Sequence, residues 1–202
     1  MFCILIHYNT YQFFIFLYIR EMKSNMLLNN VSNIIKVPMR YLPKMLNKKD
    51  NKKQVKMLIK SREQYKKGIY YKRDNVASFK NKKSNHILNA RKIYKIDNIS
   101  PTKELARKTG CKLEVLNKIV RKGEGAYYSS GSRPNQTPQS WGLARLASAL
   151  TSGKAAAVDY KIINEGCNHK KKAFKLANKA KEKYKSGKAK AKKISIYNIK
   201  KR

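Results

Sequence analysis

The sequence predicts a mainly α-helical protein: a small helical domain with a helix-turn-helix-like hairpin and a long Gly/Ser-rich loop, flanked by basic arms. Two observations predict it. Apolar residues recur at three- and four-residue spacing in stretches bounded by Gly, Pro and capping residues, the signature of amphipathic helices. Charge is spread unevenly: the formal net charge of +37 over 202 residues divides into +1 for 1–30, +17 for 31–96, +5 for 97–167 and +14 for 168–202. The near-balanced stretch forms a core most readily, because compaction there brings little like charge together. The expected organisation is an apolar extension over 1–30, a basic helical arm over 31–83, a helical core domain over 84–167 and a basic tail over 168–202.

Residues 1–19 are apolar and aromatic, but His7, Asn9, Thr10 and Gln12 divide them into two runs. A spanning helix wants about 20 mostly apolar residues in succession. No basic leading region or small-residue cleavage site marks a secretory signal. The segment reads as an extension ahead of a start at Met22 or Met26, with a loose membrane anchor as the alternative. Membrane contact is not its expected role.

From Val31 to Pro43 the two prolines favour extended chain. Residues 49–67 place Val55, Leu58, Ile59, Arg62 and Tyr65 on one stripe of a Lys-covered helix stopped by Gly68. Gly68-Ile69-Tyr70 opens as the GIY-YIG nucleases do, yet no Tyr-Ile-Gly follows where that family requires it. A second helix over 84–94 uses Ile87, Leu88, Ala90, Arg91 and Tyr94, and is broken by Asp97 and Asn98. Ser100 and Pro101 form a cap and first position for a third helix ending at Gly110. A fourth carries Leu113, Leu116, Ile119 and Val120 to a stop at Gly123.

The third and fourth helices, with Leu105, Ala106, Gly110, Leu116 and Ile119 as anchors, have helix-turn-helix spacing. If the motif is genuine, Lys112, Asn117, Lys118, Arg121 and Lys122 face a DNA major groove and its phosphates. A structural αα-hairpin has the same spacing. Residues 123–138 are too rich in Gly, Ser and Pro for regular structure. Ser129, Ser130, Ser132 and Gly131 offer hydroxyl and backbone N–H donors, Arg133 a planar fork, and Asn135, Gln136 and Arg145 further polar groups for a phosphate or ligand. A rigid loop whose polar groups satisfy one another is the alternative.

Thr137-Pro138 starts a helix to about Thr151, with Trp141, Ala144, Leu146, Ala147 and Leu150 inward and small residues that allow close helix approach. Residues 154–164 form another, with Ala156, Val158, Ile162 and Ile163 apolar, ended by Gly166. Residues 170–185 form a basic amphipathic helix with Ala173, Leu176, Ala177, Ala180 and Tyr184 on one stripe. The run over 188–193 is low-complexity.

Three cysteines, Cys3, Cys111 and Cys167, are an odd number with no C-x-x-C spacing, so reduced thiols are expected rather than a disulfide or a zinc site. The histidines His7, His86 and His169 are scattered. No metal and no cofactor are expected.

With 48 Lys and Arg against 11 Asp and Glu, the compact chain repels itself unless a polyanion neutralises it, the electrostatic footprint of a nucleic-acid binder. A/T-rich codons inflate Lys, Asn, Ile and Tyr but do not deplete Asp and Glu, so codon usage leaves the imbalance unexplained. The expected function is sequence-tolerant nucleic-acid binding by phosphate neutralisation, DNA ahead of RNA. Lys170, Lys171, Lys172, Lys188, Lys190, Lys192 and Lys193 of the tail join the hairpin residues. Two alternatives stand beside it: a structural protein whose basic arms bridge acidic protein surfaces, and a phosphate-handling enzyme built on the Ser-rich loop. The second lacks a base near its serines in sequence, so no catalytic residue is assigned and an enzyme is not expected.

The wording of 123–137, of Ser140-Trp-Gly-Leu-Ala-Arg-Leu-Ala-Ser-Ala149, of Gly153-Lys-Ala155, of Val158-Asp159 and of Gly166-Cys167 resembles an uncharacterised domain family carried by nucleocytoplasmic large DNA viruses. Tyr70-Tyr71 and Ile93-Tyr94-Lys95-Ile96 extend the resemblance to roughly 38–167. It implies a viral origin and a setting in the virion or in a replication compartment of the host cytoplasm, with other virion proteins as further partners; the structural alternative is then a virion protein. It implies no activity for any residue.

Overall fold

The computed structural model describes residues 22, 36–81, 84–187 and 192–195. The apolar stretch 1–19, Cys3, His7, Lys188 and Lys190 lie outside the described residues. The protein is mainly helical, as expected from sequence. It divides into two compact units, the larger spanning Arg40–Ala191 and the smaller comprising Met1–Met39 with Lys192–Arg202.

In the smaller unit, β1 (Lys36–Pro38) pairs antiparallel with β2 (Lys193–Ser195), Val37 opposite Ile194. Low complexity suggested no structure for the end of the 188–193 run, yet Lys193 opens a strand whose neighbours Ile194 and Ser195 are half-buried.

The first α-helix of the larger unit is α1 (Lys48–Lys66), capped by Asn47, whose side chain accepts from the Asp50 N–H. Its buried face is Asp50, Gln54, Met57, Leu58, Ile59 and Ser61. Val55, Arg62 and Tyr65, placed on the stripe from sequence, are only half-buried, because the buried face is turned toward three polar residues, Asp50, Gln54 and Ser61, that find partners. Helix α2 (Asn85–Tyr94) stops at Lys95, which adopts the left-handed conformation two residues before Asp97. Helix α3 (Lys103–Thr109) is capped by Thr102, not Ser100; the Thr102 hydroxyl accepts from the Leu105 N–H at 3.1 Å.

The largest departure is α4 (Leu113–Ser130), which passes through Gly123 and Gly125 and ends at Gly131. Helix α5 (Pro138–Leu150) packs along it. A Cβ on Gly123 would stand 2.6 Å from the Gly142 Cα, so both glycines serve close helix approach. Thr137 and Ser140 close the expected capping box on α5. The helix expected over 154–164 is two, α6 (Lys154–Val158) and α7 (Tyr160–Gly166), separated at Asp159, and Val158 is exposed.

Helix α8 (Lys172–Lys183) corrects the division into core and arms. Ala173, Phe174, Ala177 and Ala180 are buried in the same apolar cluster as Leu105, Leu116, Ile119, Leu146, Leu150 and Ile163. Alanines at i, i+4 and i+7 let a helix approach closely whatever charge its other face carries. Helix α1 likewise lies within the 40–191 unit rather than in a separate arm.

Cys111 and Cys167 form a disulfide, correcting the expectation of reduced thiols. The chain brings them together as an antiparallel bridge pair, flanked by Lys112 N–H to Gly166 carbonyl (2.9 Å) and Asn168 N–H to Gly110 carbonyl (2.7 Å). No helix among the described residues is long and apolar enough to cross a membrane.

Candidate nucleic-acid interface

An α-helix ends with carbonyls that have no intrahelical partner and with the negative pole of its dipole. Helix α4 ends among groups that answer both. The Arg73 guanidinium donates to the Tyr127 carbonyl (2.9 Å), the Ser61 hydroxyl to the Tyr128 carbonyl (3.0 Å) and Arg62 to the Ser130 carbonyl (2.8 Å). Just beyond the helix, Gln54 reaches the Ser132 carbonyl at 3.4 Å and the Tyr41 carbonyl at 3.3 Å. Gln54 and Ser61 of the α1 face thus help cap another helix, while the third polar member, Asp50, accepts from the Ser78 N–H at 2.7 Å.

Arg73 is the hub. It is 7% exposed and also donates to the hydroxyls of Ser61 (2.9 Å) and Ser132 (2.8 Å). Its guanidinium carbon lies 3.6 Å from the centre of the Tyr127 ring. Its backbone N–H donates to the Tyr127 hydroxyl at 3.0 Å.

The same network takes in part of the Ser-rich loop. Ser132 is fully buried, and its hydroxyl serves Arg73 and the Arg133 carbonyl. Gly131 has a φ of +94°, and a Cβ there would meet Leu58 Cδ2 at 2.6 Å. Asn135 pins the irregular segment 69–81: its side chain accepts from Val76 N–H (2.7 Å) and donates to the carbonyls of Val76 (2.9 Å) and Phe79 (2.7 Å). Gln136 bonds Asn81 at 2.9 Å and accepts from Ser140 at 2.9 Å. These contacts tie the loop's polar groups mainly to Arg73 and to the segment 69–81, with Gln136 and Ser140 bonded to each other. Ser129 and Ser130 are exposed, their hydroxyls 3.5 Å apart. Arg133 is exposed too. Burial first, and then the charges of Arg133 and Arg40, hold the His86 imidazole below its usual range.

Arg145 does not reach the loop. It makes a two-pronged contact with Asp159 (2.7 and 2.8 Å), a carboxylate buried at the α6–α7 break, and Lys122 completes the group at 2.8 Å. Both residues were expected at a ligand or groove. The low acid content explains the outcome: one buried carboxylate needs cationic partners, and they come from the nearest basic residues on α4 and α5.

In the hairpin α3–α4, Lys112, Lys118 and Arg121 are exposed. Asn117 is half-buried, and its amide donates to the Leu113 carbonyl (3.1 Å), so it is not held out toward a base edge. A recognition helix reads bases mainly with its N-terminal residues. Here that end is tied to 166–168 by the disulfide and its two flanking hydrogen bonds.

The tail residues Lys170, Lys171 and Lys172 are exposed, as are Lys192 and Lys193 of the smaller unit. Sequence reasoning left out Lys175, Lys179 and Lys183 of α8, all exposed. At 100° per residue they share one stripe with Lys172, on the side opposite Ala173, Phe174, Ala177 and Ala180. The 3.6-residue period of the buried alanines was the signal that could have found them.

The model of a family described as "Family of unknown function (DUF5824)" matches residues 38–165. No curated protein and no solved structure matches the chain.

Proposed function

The chain belongs to this family of unknown function, and from that premise we propose that it binds nucleic acid by neutralising phosphates, largely without reading sequence. The observation that carries this reading is the lysine stripe of α8 on a helix docked in the core. Like charges at i, i+3 and i+4 destabilise a helix by about 0.2–0.5 kcal/mol per pair. Cations in its first turn, such as Lys172, also meet the positive pole of its dipole. In the free protein the stripe therefore costs stability, and a polyanion relieves that cost. Spaced about 4.5–6 Å along the axis, these lysine positions suit a run of phosphates. The Asn117 contact argues for sequence tolerance.

The proposed setting, a virion or a viral replication compartment with DNA ahead of RNA, rests on the resemblance given above. Disulfides persist in oxidising surroundings such as particle surfaces and are rare in the cytosol, which favours the particle.

The test is a salt titration of duplex binding by Lys172→Gln, Lys175→Gln and Lys179→Gln combined. Each lost phosphate contact is expected to lower the slope of log K against log salt by about 1, and the triple variant by about 3. A slope equal to that of the unsubstituted chain would remove α8 from the interface.

A further inference from the structure

Resting on that nucleic-acid reading, we infer that Tyr65, Tyr70 and Tyr128 form a base-stacking platform for single-stranded nucleic acid. Tyr70 is 67% exposed and its neighbour Ile69 is 52% exposed. Neither serves the core, yet the Tyr70 ring is held. It packs edge-on against Tyr65 (centroids 6.0 Å apart) and Tyr128 (5.1 Å), whose own rings are parallel within 4°. Tyr128 in turn stands at 87° to Tyr127, which is fully buried and clasped by Arg73. An exposed ring fixed in this way binds with little further loss of side-chain freedom.

The charge around the rings selects the occupant. Residues 51–72 hold seven lysines and one acidic residue, Glu63. Lys66 and Lys67 precede the turn at Gly68, Lys72 follows it, and all three are exposed. The Lys60 ammonium lies 4.7 Å from the centre of the Tyr71 ring. Two acids act on this group through their charge, Glu124 on Tyr128 and Asp74 on Tyr71. Lysine is depleted at protein–protein interfaces, whereas aromatic rings within a cationic groove are how sequence-tolerant single-strand binders hold their ligand. A duplex keeps its base faces stacked inside; a single strand offers every one of them.

The experiment uses the full chain, labelled oligo-dT, an abasic strand of equal length and a duplex. Tyr70→Ala is expected to weaken oligo-dT binding by roughly fivefold or more, and Tyr70→Phe to stay within about twofold of the unsubstituted chain. The abasic strand, which keeps the phosphates and lacks the bases, is expected to bind the unsubstituted chain and Tyr70→Ala equally. Equal oligo-dT affinities for these two proteins would overturn the platform and leave phosphate neutralisation standing. An equal loss on oligo-dT and on the abasic strand would also overturn it. Failure of the unsubstituted chain to bind any strand would overturn the platform and the function proposed above together.

Discussion

Replacing Arg73 by alanine is expected to lower the unfolding free energy by about 3–5 kcal/mol, a large share of the 5–15 kcal/mol typical of a domain. The guanidinium makes three side-chain hydrogen bonds, to Ser61, Tyr127 and Ser132, and stacks on the Tyr127 ring. Hydrogen bonds to a charged group contribute about 1.5–3 kcal/mol each, less than additively when they share one side chain. Truncation leaves the Tyr127 carbonyl without this donor, opens a cavity under the loop 131–136 and removes the positive charge at the negative end of α4. Arg73→Lys keeps the charge but not the planar fork, so it is expected to remain destabilised by about 2 kcal/mol. Denaturant unfolding checks both. A loss below about 1 kcal/mol for the alanine variant would mean that the end of α4 is satisfied by other groups.

Reducing the Cys111–Cys167 disulfide is expected to cost about 4 kcal/mol, the loop-closure value for a sequence separation of 56. The flanking Lys112–Gly166 and Asn168–Gly110 backbone bonds do not depend on the sulfurs. The native fold is thus expected to persist under reductant while the unfolded chain gains freedom. The same denaturation curve with and without reductant reads the effect. Unchanged midpoints would mean that the cross-link does not constrain the chain in solution.

What the sequence disclosed and what it concealed follow from the range of the interactions involved. Helix boundaries set by a local signal were legible: Gly68 and Gly110 end helices, and Thr137-Pro138 begins one. Gly123 carried the same local signal and meant something else, because its role depends on Gly142 of a different helix. Arg73 looked like any of the 48 basic residues, and only the fold shows it buried against Tyr127. The disulfide was hidden by an odd cysteine count and long spacing. Among the candidate site residues, Lys112, Lys118, Arg121 and Lys170 to Lys172 are exposed as expected. Lys122 and Arg145 are bound to a carboxylate whose burial no local pattern announced. The tyrosine cluster draws on three separate segments, so neither Tyr70-Tyr71 nor Tyr127-Tyr128 announced it alone.

The affinity of the full chain for a DNA duplex, followed across ionic strength, tests the central proposal most directly. With about six phosphates engaged, affinity is expected to fall roughly a thousandfold between about 50 mM and about 200 mM salt. An affinity that stays level over that range would contradict phosphate neutralisation as the basis of what this protein does.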